Sequence, residues 1–371
     1  MQVLVANLGS TSFKYKLLDM RSGGAEVARG TFEKIGQEGA PHRIHADVID
    51  EIIKKMPRTP DAIGFKAVHG GPIRDAVIVN DDVIRTMEDF ADVAPAHNPA
   101  YIDAMRAFRK RWPDVPQVAA FETAFHQTIP PARQTYAIPF EWTEQLGIRR
   151  YGFHGASHRH VALRTADLLG PGNARRVISC HLGGSCSVCA IENGKSVANS
   201  FGMTAQSGLP HNNRVGDFDA FAIRRLLRAG HKIDDVFDAL ASRGGLFGLS
   251  GVSRDFRQIE AEAIRGNARA RLAIDVLVES VRHYIGAYLV ALGGCDALVF
   301  TGGIGENAIN VRASICAKLE WAGIALDPAK NHARAEEARI SKVESGADVW
   351  VIPANEELIV AMQTVEALHE N

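Results

Sequence analysis

Three glycine-rich turns in this chain stand where short apolar runs end, and each has the residue types to approach an anion. Asn7-Leu-Gly-Ser-Thr-Ser12 follows Val3-Leu-Val-Ala6, and His181-Leu-Gly-Gly-Ser-Cys-Ser187 follows Val177-Ile-Ser-Cys180. The third, Gly302-Gly-Ile-Gly-Glu-Asn307, follows Ala297-Leu-Val-Phe-Thr301. Glycine has no Cβ, so backbone N–H groups can close on a phosphate, and neighbouring hydroxyls add donors. Any one of these could merely complete a tight turn; three in one chain point to phosphate handling. The Walker pattern is absent, and the third turn lacks the spacing of the dinucleotide fingerprint.

Histidines sit beside glycine or proline at His69-Gly-Gly71, Ala94-Pro-Ala-His-Asn-Pro99 and Gly152-Phe-His-Gly155. The triple His154, His158 and His160 invites a zinc reading, but no glutamate stands at the metalloprotease position. A polar pocket in which histidine donates to an anion suits the context better. Arg214, in Pro210-His-Asn-Asn-Arg-Val-Gly216, reads alone as a solvated arginine of a polar turn. The five cysteines are odd in number and lie in apolar stretches. Cys186 and Cys189 have no second pair at zinc-finger distance, so reduced buried thiols of a cytoplasmic protein are expected.

These groups need elements to hold them. The first two turns each join two strand-like segments, predicting hairpins, and aligning Asn7 with His181 superposes Leu8-Gly9 on Leu182-Gly183. The offset of 174 residues is almost half of the 371-residue chain, as a duplicated domain requires. Helices are predicted at His158–Leu169, Asp219–Arg228, Ile309–Trp321 and Ala261–Leu292, the last with a near-3.6 apolar period from 273 to 292. Strands alternating with helices favour an α/β architecture. The net charge of −1 argues against a nucleic-acid or membrane-surface binder, and neither a signal peptide nor a spanning helix is expected.

Taken in order, the chain resembles the acetate kinase family, the acetate and propionate kinases. The match runs through Asn7-Leu-Gly-Ser-Thr-Ser-Phe-Lys14, Val68-His-Gly-Gly71, Ala94-Pro-Ala-His-Asn-Pro99 and Phe121-Glu-Thr-Ala-Phe-His-Gln-Thr128. It continues with Arg150-Tyr-Gly-Phe-His-Gly155, His181-Leu-Gly183, Gly248-Leu-Ser-Gly251 and Asp255-Phe-Arg257. Val299-Phe-Thr-Gly-Gly-Ile-Gly-Glu-Asn307 and Ile352-Pro-Ala-Asn-Glu-Glu-Leu358 complete it. The resemblance implies the duplicated actin-like (ribonuclease H-like, ASKHA) α/β kinase fold. One domain is expected at 1–124 plus 357–371, and the other, with most of the nucleotide site, at 125–356.

The implied activity is reversible transfer of the γ-phosphoryl group of ATP to a short-chain carboxylic acid, giving an acyl phosphate and ADP. Glu122, His154 and Arg214 take the catalytic positions, and Lys66, Val68, Ala96, Phe153 and Ala205 the substrate pocket. The nucleotide positions are Ser12, Lys14, His181, Leu182, Gly183, Gly184, Ser185, Asp255, Phe256, Arg257, Gly303, Ile304, Gly305, Glu306 and Asn307. Asn7 and Glu356 match the positions associated with Mg²⁺, for which Mn²⁺ could substitute. The resemblance also suggests a homodimer through the second domain's helices.

The chain departs from the family pattern at its centre. Glu122 stands where an aspartate is expected and Lys66 where an arginine is, which removes the two-pronged fork. Gly184 replaces an asparagine, and Asn212-Asn213 a glycine-threonine pair. Ala96 and Ala205 are smaller than expected; each extra buried methylene of substrate would contribute ~0.8 kcal/mol, which favours an acid larger than acetate unless neighbours refill the space. A nucleotide-binding, catalytically weakened regulatory paralogue is the alternative reading.

Overall fold

The computed structural model describes residues 1–9, 11–95, 97–333 and 336–370, with the side chain of Ala46 also outside the description. It divides into two compact units, Met1–Gln127 with Gln145–Gly147 and Asn355–Asn371, and Thr128–Glu144 with Ile148–Ala354.

The first unit is built on β1 (Gln2–Gly9), β2 (Ser12–Asp19), β3 (Ala25–Glu33), β4 (Ala62–Ala67), β5 (Val77–Ile78) and β6 (Gln117–Phe121), in the order β3-β2-β1-β4-β6-β5. The second contains β7 (Arg176–Leu182), β8 (Cys186–Glu192), β9 (Lys195–Asn199), β10 (Ala297–Thr301), β11 (Ala338–Arg339) and β12 (Asp348–Val351). Their order, β11-β12-β10-β7-β8-β9, is the same topology read from the other edge. In both, an antiparallel meander feeds a parallel trio, β1-β4-β6 or β7-β10-β12, and a short antiparallel edge strand closes the sheet. The repeat at offset 174 is therefore a repeated fold, with chemistry expected beyond the carboxyl ends of the parallel strands.

The parallel strands read as continuous apolar runs because both faces are covered. In the first unit the terminal helix Glu356–His369 packs on β1, β4 and β6. Gly64 permits that approach, since a Cβ there would collide with Thr364 and Val360. The long helix Ala268–Leu292 covers β7 and β8 in the second unit, burying Ala273, Leu277, Val281 and Ile285.

Local structure corrects several boundaries. The predicted helix 261–292 is two helices, Phe256–Ile264 and Ala268–Leu292. Gly266 turns left-handed at φ +93°, and the Asn267 side chain caps the second helix by accepting from Arg269 and Ala270 N–H. Ile309–Trp321 ends early, at Cys316, with Lys318 at φ +63°, and Asp219–Arg228 begins only at Ala222. The third glycine segment is a short helix, Gly302–Asn307, not an open turn. Asn7, His181 and Leu182 lie on strands, because the hairpin ladders extend to Gly9–Ser12 and Leu182–Cys186. All five cysteines are free and buried. Among the described residues no helix is long and apolar enough to cross a membrane.

Candidate active site

In the first unit, the parallel strands end in a compact charge cluster. Lys66 lies near the end of β4, and Glu122 directly follows β6, where its N–H donates to Ala67 O at 2.9 Å. Glu356 opens the terminal helix. Lys66 Nζ is 2.7 Å from Glu356 Oε2 and 3.6 Å from Glu122 Oε1, and the three side chains are only 15%, 15% and 6% exposed respectively. Burial of the ammonium acts to lower its pKa, but the Glu122 and Glu356 carboxylates outweigh it and hold Lys66 above the ordinary lysine value. Tyr101 stands close by, its hydroxyl accepting from Leu8 N–H at 2.8 Å; burial pushes its phenol pKa up.

The two carboxylates bring oxygen donors of the kind that suit a hard divalent cation. Asn7 lies on β1, a strand on which the Glu356 helix packs. Val68 follows β4 and packs on the first core. Ser12 and Lys14 lie on β2 of this unit. Ala96 lies outside the described residues.

The second unit holds a chain of serines and histidines. His154 takes the left-handed conformation, φ +59° and ψ 33°, at the start of helix Gly155–Leu169. This region is uncommon for a residue with a Cβ and recurs where geometry serves function. His154 Nδ1 and His158 Nε2 each lie 2.8 Å from the same Ser187 Oγ on β8, and His158 Nδ1 lies 2.8 Å from Ser179 Oγ on β7. His181 Nδ1 pairs with Ser157 Oγ at 2.8 Å, with its ring 4.2 Å from that of His154. Helix spacing brings His158 beneath His154, and the alternation of β7 and β8 turns Ser179 and Ser187 toward it. His160 instead loses basicity through burial, beside Glu337. Among the described residues no group of three or more His, Cys, Asp or Glu side chains could hold a metal.

Arg214 is half-buried, not a solvated turn residue. Its Nη1 donates to Ala205 O at 2.6 Å, and desolvation lowers its pKa. The loop around it is held by Leu246 N–H on His211 O (2.8 Å) and His211 N–H on Arg214 O (3.1 Å). Gly245, at φ +59°, lets the chain pass beneath, where a Cβ would strike His211 O. Phe153 is buried edge-on against Phe201.

The same unit carries an open cavity of about 570 Å³. Gly183, Gly184, Asp255, Phe256, Arg257, Gly303, Ile304 and Asn307 line it, as does Asn212, which the sequence reading did not assign. The glycine turn after β7 and the short glycine-rich helix after β10 meet there: a Cβ on Gly183 would stand 3.8 Å from Gly303 N. The Arg257 guanidinium, donating to Asp255 at 2.6 Å, holds that carboxyl below the usual range. Leu182, Ser185, Gly305 and Glu306 are not among its lining residues. Leu182 is core, Gly305 is buried, and Ser185 lies 3.5 Å from His211 Nδ1. Glu306 accepts from Gly302 and Ala354 N–H at 2.9 and 3.0 Å. Ser187 was also missed; its only signal was a hydroxyl on the inward phase of a strand.

The acetokinase family model matches residues 42–362. An acetate kinase of Dictyoglomus turgidum is 42% identical, covering 100% of this chain and 98% of that protein. The crystal structure of Porphyromonas gingivalis acetate kinase superposes with a TM-score of 0.91 at 38% identity, covering 99% of both chains. A propionate kinase structure from Francisella tularensis gives 0.91 at 35% identity, covering 98% of this chain and 99% of that one.

Proposed function

Because the chain belongs to the acetokinase family, with its duplicated actin-like fold, we propose that it moves the γ-phosphoryl group of ATP reversibly onto a short-chain carboxylic acid. It is a phosphotransferase with a carboxyl acceptor; acetate, propionate or a somewhat larger acid is the substrate in this reading. The observation that carries it is the glycine-walled cavity, whose closely approaching turns suit a nucleoside polyphosphate.

In the forward step a carboxylate oxygen attacks the γ-phosphorus, the bond to the β–γ bridging oxygen breaks, and ADP leaves with the electron pair. Catalysis is positioning plus stabilisation of charge on the transferring oxygens. Lys66 offers the carboxylate a cation, and Glu122 orients the attacking group. His154 and Arg214 donate to the phosphoryl oxygens, and the loop contacts of Arg214 hold its backbone ready for that task. In this reading recognition of the acyl group is assigned to Val68, Ala96, Phe153 and Ala205.

Asn7 and Glu356 would hold Mg²⁺, with Mn²⁺ able to substitute; the ion would supply positive charge to the phosphate oxygens. The enzyme works in the cytoplasm as a homodimer through second-unit helices, where Phe221 and Phe237 stand exposed.

Trapping acyl phosphate as hydroxamate across a series of acids tests the reading. Product is expected, with kcat/KM highest for an acid longer than acetate. ATP binding with no product from any acid would sink the kinase proposal, and acetate ranking first would sink the enlarged pocket.

A further inference from the structure

Asn212 has no role in the reaction just proposed, yet its amide is fixed at the wall of the cavity. We infer that Asn212 Nδ2 donates a hydrogen bond to a phosphate oxygen of the bound nucleoside di- or triphosphate; the inference rests on the cavity being the nucleotide site.

The backbone of Asn212 is pinned on two sides, its N–H donating to Gly184 O at 3.1 Å and its carbonyl accepting from Phe247 N–H at 2.8 Å. The side chain is oriented as firmly, since Nδ2 donates to Arg254 O at 2.6 Å. Oδ1 is turned inward, solvent-inaccessible and without a hydrogen-bond partner. Flipping the amide would set Oδ1 against the Arg254 carbonyl, two acceptors facing each other, so Nδ2 keeps its place.

An amide nitrogen carries two hydrogens, and one remains after Arg254 is served. Its neighbour across the cavity wall is Gly184, where a Cβ would sit 3.5 Å from Nδ2. Glycine at 184 therefore opens the space that this donor faces. Gly183 and Gly303 border the same region, while Phe256 and Ile304 supply the apolar part of the lining. A donor among glycine backbones suits an oxygen that only accepts, which a phosphate offers; a base suits the apolar part. Positions 184 and 212 are also two at which the sequence departs from the family pattern, with the amide absent from one loop and present on the loop facing it.

Isothermal titration of ATP, ADP and adenosine into wild type, Asn212→Gly and Asn212→Asp tests the inference. Loss of a hydrogen bond to a charged group should weaken ATP and ADP by about tenfold or more and leave adenosine within about twofold. Asn212→Asp should weaken ATP further, because its carboxylate repels phosphate. Gly184→Asn in the Asn212→Gly background should restore most of the affinity, which also shows that the loop still folds. ATP and ADP binding of Asn212→Gly within twofold of wild type overturns the inference, as does equal weakening of adenosine or no recovery in the double variant. Gly303→Leu tests the underlying site separately: no atom lies within 4 Å of the Cβ position there, so the side chain would intrude on the cavity. Undiminished binding of both ATP and adenosine to Gly303→Leu would remove the nucleotide site itself, whatever Asn212 does.

Discussion

Replacing Lys66 by methionine keeps the aliphatic stem and removes the charge, leaving the Glu122 and Glu356 carboxylates, 6% and 15% exposed, without the ammonium between them. Removing one member of a buried ion pair costs about 3–5 kcal/mol. For a unit of this size each kcal/mol moves the melting temperature by roughly 2–4 °C, so the first unit of Lys66→Met should melt about 6–20 °C lower. Scanning calorimetry of the ligand-free protein at neutral pH reads this directly. Lys66→Met/Glu356→Gln should recover at least half of the loss, since the carboxylate at 2.7 Å is then neutral as well. The pH dependence has a fixed sign. The folded-state pKa of Lys66 is raised, so its contribution is fully present below the unfolded lysine value of ~10.4 and is lost as pH climbs from there toward the folded value. Between those two values wild type should lose its advantage over Lys66→Met by about 1.4 kcal/mol per pH unit. A melting temperature within 2 °C of wild type, or no recovery in the double variant, would refute the view of Lys66 as the cluster's neutralising charge.

Arg214→Ala should lower kcat by about 10³-fold or more with little change in nucleotide affinity; a steady-state loss under tenfold would remove the assigned role. Ser187→Ala strips His154 and His158 of the hydroxyl they share at 2.8 Å. It should cost about 1–3 kcal/mol in urea unfolding and lower kcat, while Ser187→Thr, which retains the hydroxyl, should lose less activity. Gly64→Ala drives a Cβ into Thr364 and Val360 and should destabilise the first unit by about 1–3 kcal/mol, partly relieved by Thr364→Ala. Phe221→Glu/Phe237→Glu should shift a homodimer toward monomer in analytical ultracentrifugation; a chain that is monomeric before substitution would refute the proposed assembly.

Sequence patterns exposed most readily what is local. The hairpin carrying Asn7 and the one carrying His181 were visible because period-two alternation and glycine turns are written in consecutive residues. Helix ends were less legible: the apolar period from 261 to 292 runs through Gly266 and Asn267, and only the backbone shows a left-handed turn and a new cap there. Arg214 looked like a surface residue because the contacts that bury it come from Ala205 and from the turn at Gly245–Leu246. Ser187 and Asn212 carried no motif of their own. Their placement depends on which neighbour each faces, a property of packing between segments.

By itself, then, the sequence carried the family resemblance and the duplicated architecture, since motifs, turn chemistry and an internal repeat are short-range or self-similar signals. Tertiary structure alone decided that residues 66, 122 and 356 form one charge cluster, because strand register and the return of the last helix bring together positions as much as 290 residues apart. It likewise decided that His154 and His158 share a hydroxyl and that an amide faces Gly184. Charge balance, burial and hydrogen-bond partners belong to the folded environment, and no single residue type specifies them.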